Sequence, residues 1–198
     1  MTAGEWKFLW RTIVVVAMIM PIGGLFLPSL GTSRVSVWRD EGQNDLKHVG
    51  LAILNYSAED VFQFLPPVAI VDSNGTPLLS WRVLMLPKLE ETALFNQFDL
   101  SKPWNSPENL PLTEKIPDVY ASPRITKYDQ QGLTPYKAII VENGPWKTAW
   151  GKAGKRIQPG HFKDGMSNTI LVVEDIFDPV IWTKPKDISP DQIKQAID

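Results

Sequence analysis

An α+β domain behind a single membrane-spanning helix is the fold class predicted for this chain of 198 residues. Three observations predict it. Residues 12–33 form a run of 22 without a charged side chain, and roughly 20 apolar residues at ~1.5 Å rise cross a hydrocarbon core of about 30 Å. Behind that run, apolar residues recur at helical spacing. The rest breaks into short β-rich pieces punctuated by prolines and Asn-Gly turns. The predicted organisation is a short segment over 1–11, a transmembrane helix over 12–33, an α+β domain over 34–188 and a short C-terminal helix over 189–198.

Composition narrows the function. With 20 Lys plus Arg against 22 Asp plus Glu, the net charge of −2 excludes broad electrostatic capture of nucleic acid. The absence of cysteine excludes disulfides, thiolate metal sites, cysteine nucleophiles and a lipid-modified cysteine anchor. Two His leave little for a histidine-built metal site. Seventeen Pro and eight Trp point to a domain stitched together by turns and large aromatics. The charge is unevenly placed: residues 34–198 carry 18 basic and 21 acidic side chains, an ordinary acidic domain of net −3.

The first element is the uncharged run. Lys7 and Arg11 precede it, and Trp6 and Trp10 stand where interfacial aromatics lie. A retained anchor is the preferred reading, on spanning length and charged flanks. The competing readings are a cleaved signal peptide, ended by Pro21 and Gly23-Gly24 with Ser29 and Gly31 before the cut, and a buried core helix. The last is disfavoured because core helices rarely lack charge on all faces. Lys7 and Arg11 argue for an inside N-terminus, a bias that Arg34 and Arg39 weaken. The expected location is the cytoplasmic (inner) membrane, single-pass, with the bulk of the chain on the extracytoplasmic side. Membrane lipid around 12–33 is the expected partner, together with proteins or further copies through the N-terminal helix.

Next, Leu46, Val49, Ile53 and Tyr56 recur at steps of three and four with Ala52 beside them, predicting an amphipathic helix of about three turns that ends near Ser57. The polar link 33–43 extends it, weakened by Gly42. Phe64-Leu65-Pro66-Pro67 stops helix and sets up extended chain. Val68–Val71, the turn Asp72-Ser73-Asn74-Gly75-Thr76-Pro77 and Leu78-Leu79 predict a hairpin. Ser80 caps a helix starting at Trp81, interrupted near Pro87 and resumed over Leu89–Phe98. Ser101–Pro123 is irregular, with one helical turn near Pro107–Lys115. Tyr136–Val141, Thr169–Glu174 and Val180–Trp182 are strand candidates, giving one antiparallel sheet of four or five short strands. Ser189 caps a last helix with Pro190 at its first position.

Chemistry-bearing clusters are few. His161 and Asp164 with Glu174 and Asp175 form the best imidazole and carboxylate group. Zinc wants three protein ligands, and His48 lies far off in sequence. Asp164-Gly165-Met166-Ser167-Asn168 offers oxygens around a glycine turn, as calcium takes, yet with one firm carboxylate it is equally a plain turn. Gly151-Lys152-Ala153-Gly154-Lys155 lacks phosphate-loop spacing. Lys147, Lys152, Lys155 and Arg156 with Trp146 and Trp150 resemble a patch for single-stranded nucleic acid or an anionic glycan, and a loop covering a sheet edge accounts for them better. In Ser80-Trp81-Arg82 the indole is expected in the core and the guanidinium paired locally; Trp104 is expected to anchor its loop. No catalytic, cofactor or metal residue is assigned, and the chain is read as a non-enzyme.

The segment Asp45-Leu46-Lys47-His48-Val49-Gly50-Leu51-Ala52-Ile53-Leu54-Asn55-Tyr56 resembles the opening motif of a large planctomycete family, domain of unknown function 1559. Similar motifs follow in the family's order: Phe64-Leu65-Pro66-Pro67-Val68-Ala69-Ile70, Leu78-Leu79-Ser80-Trp81-Arg82, Lys102-Pro103-Trp104-Asn105-Ser106-Pro107, Asp164-Gly165-Met166-Ser167-Asn168-Thr169 and Trp182-Thr183-Lys184-Pro185. They span residues 45–186. The resemblance implies a pilin- or pseudopilin-like layout, a membrane helix continuing into an amphipathic helix packed on a small extracytoplasmic α+β domain. Departures are visible too. No prepilin processing motif precedes the apolar run, Gly42 and Ser122 stand where the family often has cysteines, and the family's occasional His before the Asp-Gly pair is Gly154 here. The expected function is that of a membrane-anchored, pseudopilin-like structural or interaction protein. The alternative is an anchored binding module for a glycan or cell-envelope partner, through Trp104, Trp146 or Trp150.

Overall fold

The computed structural model describes residues 36–61, 63–122, 124–125, 132–140, 158, 160, 162, 165 and 168–197. The predicted transmembrane helix over 12–33 lies outside them. Among the described residues, no helix is long and apolar enough to cross a membrane. The chain divides into two compact units, Met1–Glu41 and Gly42–Asp198. Helix α1 runs over 36–59; its residues 36–41 fall in the first unit and its residues 42–59 open the second.

The second unit is α+β, as predicted. Along α1, Val49, Ala52 and Ile53 are buried, with Leu46 and Tyr56 packed beside them. The helix continues through Gly42, so the described part of the polar link, residues 36–43, does extend it. It ends where Ser57 Oγ donates to the Gln63 carbonyl at 2.7 Å and Gln63 takes a left-handed φ of 56°. Ahead of the Pro66-Pro67 pair the chain is already out of helix.

Strands β1 (Ala69–Val71) and β2 (Pro77–Ser80) form the predicted hairpin in antiparallel register Ala69↔Ser80 and Ile70↔Leu79. Its turn is built by Asp72, whose Oδ1 accepts from the Asn74 and Thr76 amides at 2.8 Å each. These bonds, that of Thr76 foremost, hold the Asp72 carboxyl below its usual range. Helix α2 (Trp81–Met85) follows at once, capped by Ser80 Oγ, which accepts from the Arg82 amide. Pro87 then tightens the chain into a 3₁₀ turn, Leu86–Leu89, and Glu90 adopts a left-handed φ of 66°. Because that reversal ends helical geometry, the resumed helix is shorter than the predicted 89–98: α3 covers only Thr92–Phe95.

The region 101–122 is irregular as expected, with the predicted turn at Leu110–Glu114 and a second at Asp118–Tyr120 that the sequence reading missed. Asn109 organises it. The two hydrogens of its Nδ2 are shared among the carbonyls of Asp99, Lys102 and Pro103, and its Oδ1 accepts from the Asp99 amide.

The predicted single sheet of four or five strands is corrected. Among the described residues six short strands form three separate antiparallel pairs: β1 with β2, β3 (Leu133–Thr134) with β6 (Val180–Ile181), and β4 (Tyr136–Ala138) with β5 (Val172–Glu174). The physical reason is a break at Pro135. Proline has no amide hydrogen to donate, so the ladder switches partner there. Its carbonyl accepts instead from the Asp175 amide at 2.8 Å. Backbone hydrogen bonds between strands and loops replace a continuous ladder: Ser80 N donates to Thr183 O, Trp104 N to Leu78 O, and Ile188 N to Ala138 O. Helix α4 (Pro190–Ile197) closes the chain with a capping box, Gln192 N donating to Ser189 Oγ and Ser189 N to Gln192 Oε1.

An aromatic cluster fills the core. Trp182 stacks on Tyr120 with centroids 6.1 Å apart, while Trp81 meets Tyr120 and Phe98 meets Trp182 edge to face. Such pairs contribute about 0.5–1.5 kcal/mol each beyond their area. Tyr136 reaches across this core to α1, its hydroxyl donating to Asp45 Oδ2 at 3.0 Å.

Candidate functional site

Three arrangements of polar groups and one apolar face stand out in the second unit. The deepest is around Arg82 and Asp187. Ser80 starts α2 and thereby turns Arg82 inward, where its side chain is 0% exposed and that of Asp187 2%. Arg82 Nη2 donates to Asp187 Oδ1 at 2.9 Å and, with Nε, to the Tyr136 carbonyl; Nη1 donates to Ser80 Oγ at 2.6 Å. Asp187 Oδ1 also accepts from Trp81 Nε1 and the Ala138 amide. The expectation that Arg82 pairs locally is thus half corrected. It keeps Ser80 but finds its counter-charge near the C-terminus, since a buried guanidinium needs an anion that its own segment lacks. Tyr120 Oη donates to the Arg82 carbonyl, and burial pushes its phenol well above the usual value.

A second group centres on Lys137 of β4. Its buried Nζ donates to Asp175 Oδ2 and Asp178 Oδ2 at 2.9 Å each, and Lys186 adds a further bond to Asp178. Burial alone would raise the Asp175 carboxyl, but the bond and charge of Lys137 outweigh it and hold it below the usual range; Lys137 and Lys186 do the same for Asp178. Asp175 Oδ1 meanwhile accepts from the Phe177 and Asp178 amides, fixing the β5–β6 turn with Phe177 exposed at its tip.

The third is Glu174, which accepts from Ser122 Oγ and Arg124 Nη1, both at 3.4 Å. A Cβ added at Gly42 would lie 3.3 Å from Glu174 Oε2. The two positions where the family resemblance implies cysteines therefore converge on one carboxylate.

Of the clustered residues singled out in the sequence, Glu174 and Asp175 are engaged in these ion pairs, facing Arg124 and Lys137 respectively. His161, Asp164 and Ser167 lie outside the described residues, as do Lys147, Lys152, Lys155, Arg156, Trp146 and Trp150. Gly165 takes a left-handed φ of 78°, and its carbonyl accepts from Thr169 Oγ1. Among the described residues no three His, Asp or Glu side chains converge as for a metal ion. Trp104 does anchor its loop, packed against the core with Lys184 Nζ 5.3 Å from its ring centroid.

The apolar face is on α1. Opposite its buried side, Leu51 is 56% and Leu54 46% exposed, and Val61 just past the helix end is 91% exposed. Ala58 between them is exposed too. The sequence reading assigned the buried face and passed over this one, although its spacing was legible.

No curated protein and no solved structure matches the chain. A family model described as "Protein of unknown function (DUF1559)" matches residues 39–197, nearly the whole of the second unit. With the motif residues of Ser80-Trp81-Arg82 and Trp182-Thr183-Lys184 meeting across β2, the chain belongs to the DUF1559 family of proteins of unknown function.

Proposed function

We propose that this chain is a non-enzymatic, membrane-anchored structural or interaction protein of pseudopilin-like layout, working through the outer face of α1. The observation that carries the reading is a contrast. Arg82, Lys137, Asp175, Asp178 and Asp187 are committed to internal ion pairs that hold segments together, whereas Leu51, Leu54 and Val61 stand in water. A contiguous exposed apolar stripe is the usual mark of a contact surface. The uncharged run over 12–33, of spanning length, supports the anchor. Glycan binding through Trp104 is less well supported, because Lys184 already lies over that ring.

Membrane fractionation with N-terminal sequencing of the mature protein tests the anchor. The expected result is a protein released only by detergent, whose N-terminus precedes Thr12. A freely soluble mature protein starting after Gly31 overturns it.

A further inference from the structure

We propose that the outer face of α1 is where two copies of this chain pair, with their α1 helices antiparallel. Counting from Lys47, the helical face steps by four, three and four residues through Leu51, Leu54 and Ala58, and Val61 stands just past the helix end. That alternation is the 3.5-residue period of a helix–helix seam, in which side chains of one helix fill the gaps of the other. The residues lie opposite Val49, Ala52 and Ile53, which face the core, so the seam is turned away from that core. Beside it, the space where Gly50 would carry a Cβ is open to 4 Å, leaving room for a second backbone to approach.

Charge fixes the orientation. Exposed Lys47 and His48 stand at the start of the seam; Glu59 and Asp60 stand at its end, where the last helical carbonyls add partial negative charge. A parallel pair sets Lys47 against Lys47 of the other copy. An antiparallel pair with Leu51 opposite Leu54 instead brings Lys47 opposite Ala58, at the other copy's acidic helix end. Glu59 already bonds Lys88, yet its side chain remains 67% exposed and able to meet a second cation. Four side chains per copy make a small interface, so the pair is weak and exchanges readily. The proposal takes from the functional reading only that this face is a contact surface; two copies anchored in one membrane can pair this way only with α1 lying along its surface, so the pairing is tested in detergent and stands or falls apart from the anchor.

The absence of native cysteine makes the test clean. Full-length Lys47→Cys and Ala58→Cys proteins, purified in mild detergent, are mixed and gently oxidised, and the dimers are assigned by mass spectrometry. The mixed Lys47→Cys/Ala58→Cys dimer should predominate over both self-dimers. Adding Leu54→Asp to both chains should abolish it with no change in thermal melting, because Leu54 is exposed. Predominance of the Lys47→Cys self-dimer, a statistical mixture insensitive to Leu54→Asp, or no cross-linked product each overturns the proposal. Fractionation of the same proteins reports on the anchor independently.

Discussion

Arg82 and Asp187 are 105 positions apart in sequence, yet Arg82 Nη2 lies 2.9 Å from Asp187 Oδ1. The same aspartate oxygen receives the Trp81 indole and the Ala138 amide, while the guanidinium also holds the Tyr136 carbonyl. One ion pair thus ties β2–α2 to β4 and to the segment leading into α4.

Removing one partner strands the other charge in the core, which costs about 3–5 kcal/mol. Arg82→Met and Asp187→Ala should each lose about that much in urea unfolding. Asp187→Asn should cost less, since the amide oxygen still accepts from Trp81 and Ala138. Equal losses for Ala and Asn would mean the charge alone matters.

Lys137→Met should destabilise by about 2–3 kcal/mol at neutral pH, less than a fully buried pair because Asp178 can turn to solvent. Asp175 and Asp178 have folded pKa values below the ordinary 3.8. Their stabilisation is therefore complete above that value and lost as pH falls through the lower folded values. Unfolding free energy should drop on acidification below about pH 4, and the drop should be shallower in Lys137→Met, which lacks the main cause of the lowering.

Asn109→Ala and Asn109→Asp should both loosen the loop from Asp99 to Pro103 and cost about 2–3 kcal/mol, since a carboxylate cannot donate to its three carbonyls. Amide hydrogen exchange in residues 99–109 should accelerate in both. Protection unchanged in Asn109→Asp would show that the bonds donated by Nδ2 are dispensable.

Two glycines should respond oppositely to alanine. Gly132 has a φ of +78°, and an added Cβ would sit 2.2 Å from the Thr113 carbonyl oxygen. Gly132→Ala should cost more than about 3 kcal/mol. Gly50 is helical with open space beside it, so Gly50→Ala should stabilise by about 0.5–1 kcal/mol. Thermal melting of the two variants distinguishes these outcomes.

Local rules made much of this fold legible. The α1 core face followed from 3–4 spacing, the hairpin from Asp72 to Gly75, and both caps from Ser80 and Ser189. Each rests on residues within a few positions of one another. Strand pairing was less legible, because segments of two to four residues carry too few side chains to specify a partner, and β3, ahead of Pro135, lies outside every strand that the sequence predicts. Among the polar groups, Glu174 and Asp175 were noticed as acids, while the Lys137 and Arg124 that neutralise them were invisible at separations of 38 and 50 residues.

By itself, the sequence determined the family, the α+β class, the core face of α1, the hairpin and the caps at Ser80 and Ser189, and the uncharged segment, because motifs, periodicity and turn chemistry are properties of adjacent residues. Only the tertiary structure decided that six strands pair as three ladders, that Arg82 answers to Asp187, and that Gly42 and Ser122 meet at Glu174. Those choices depend on which distant charges and hydrogen-bonding groups reach one another when the aromatic core excludes water. A buried guanidinium carries its demand for an anion in the sequence, and only folding supplies the one it meets.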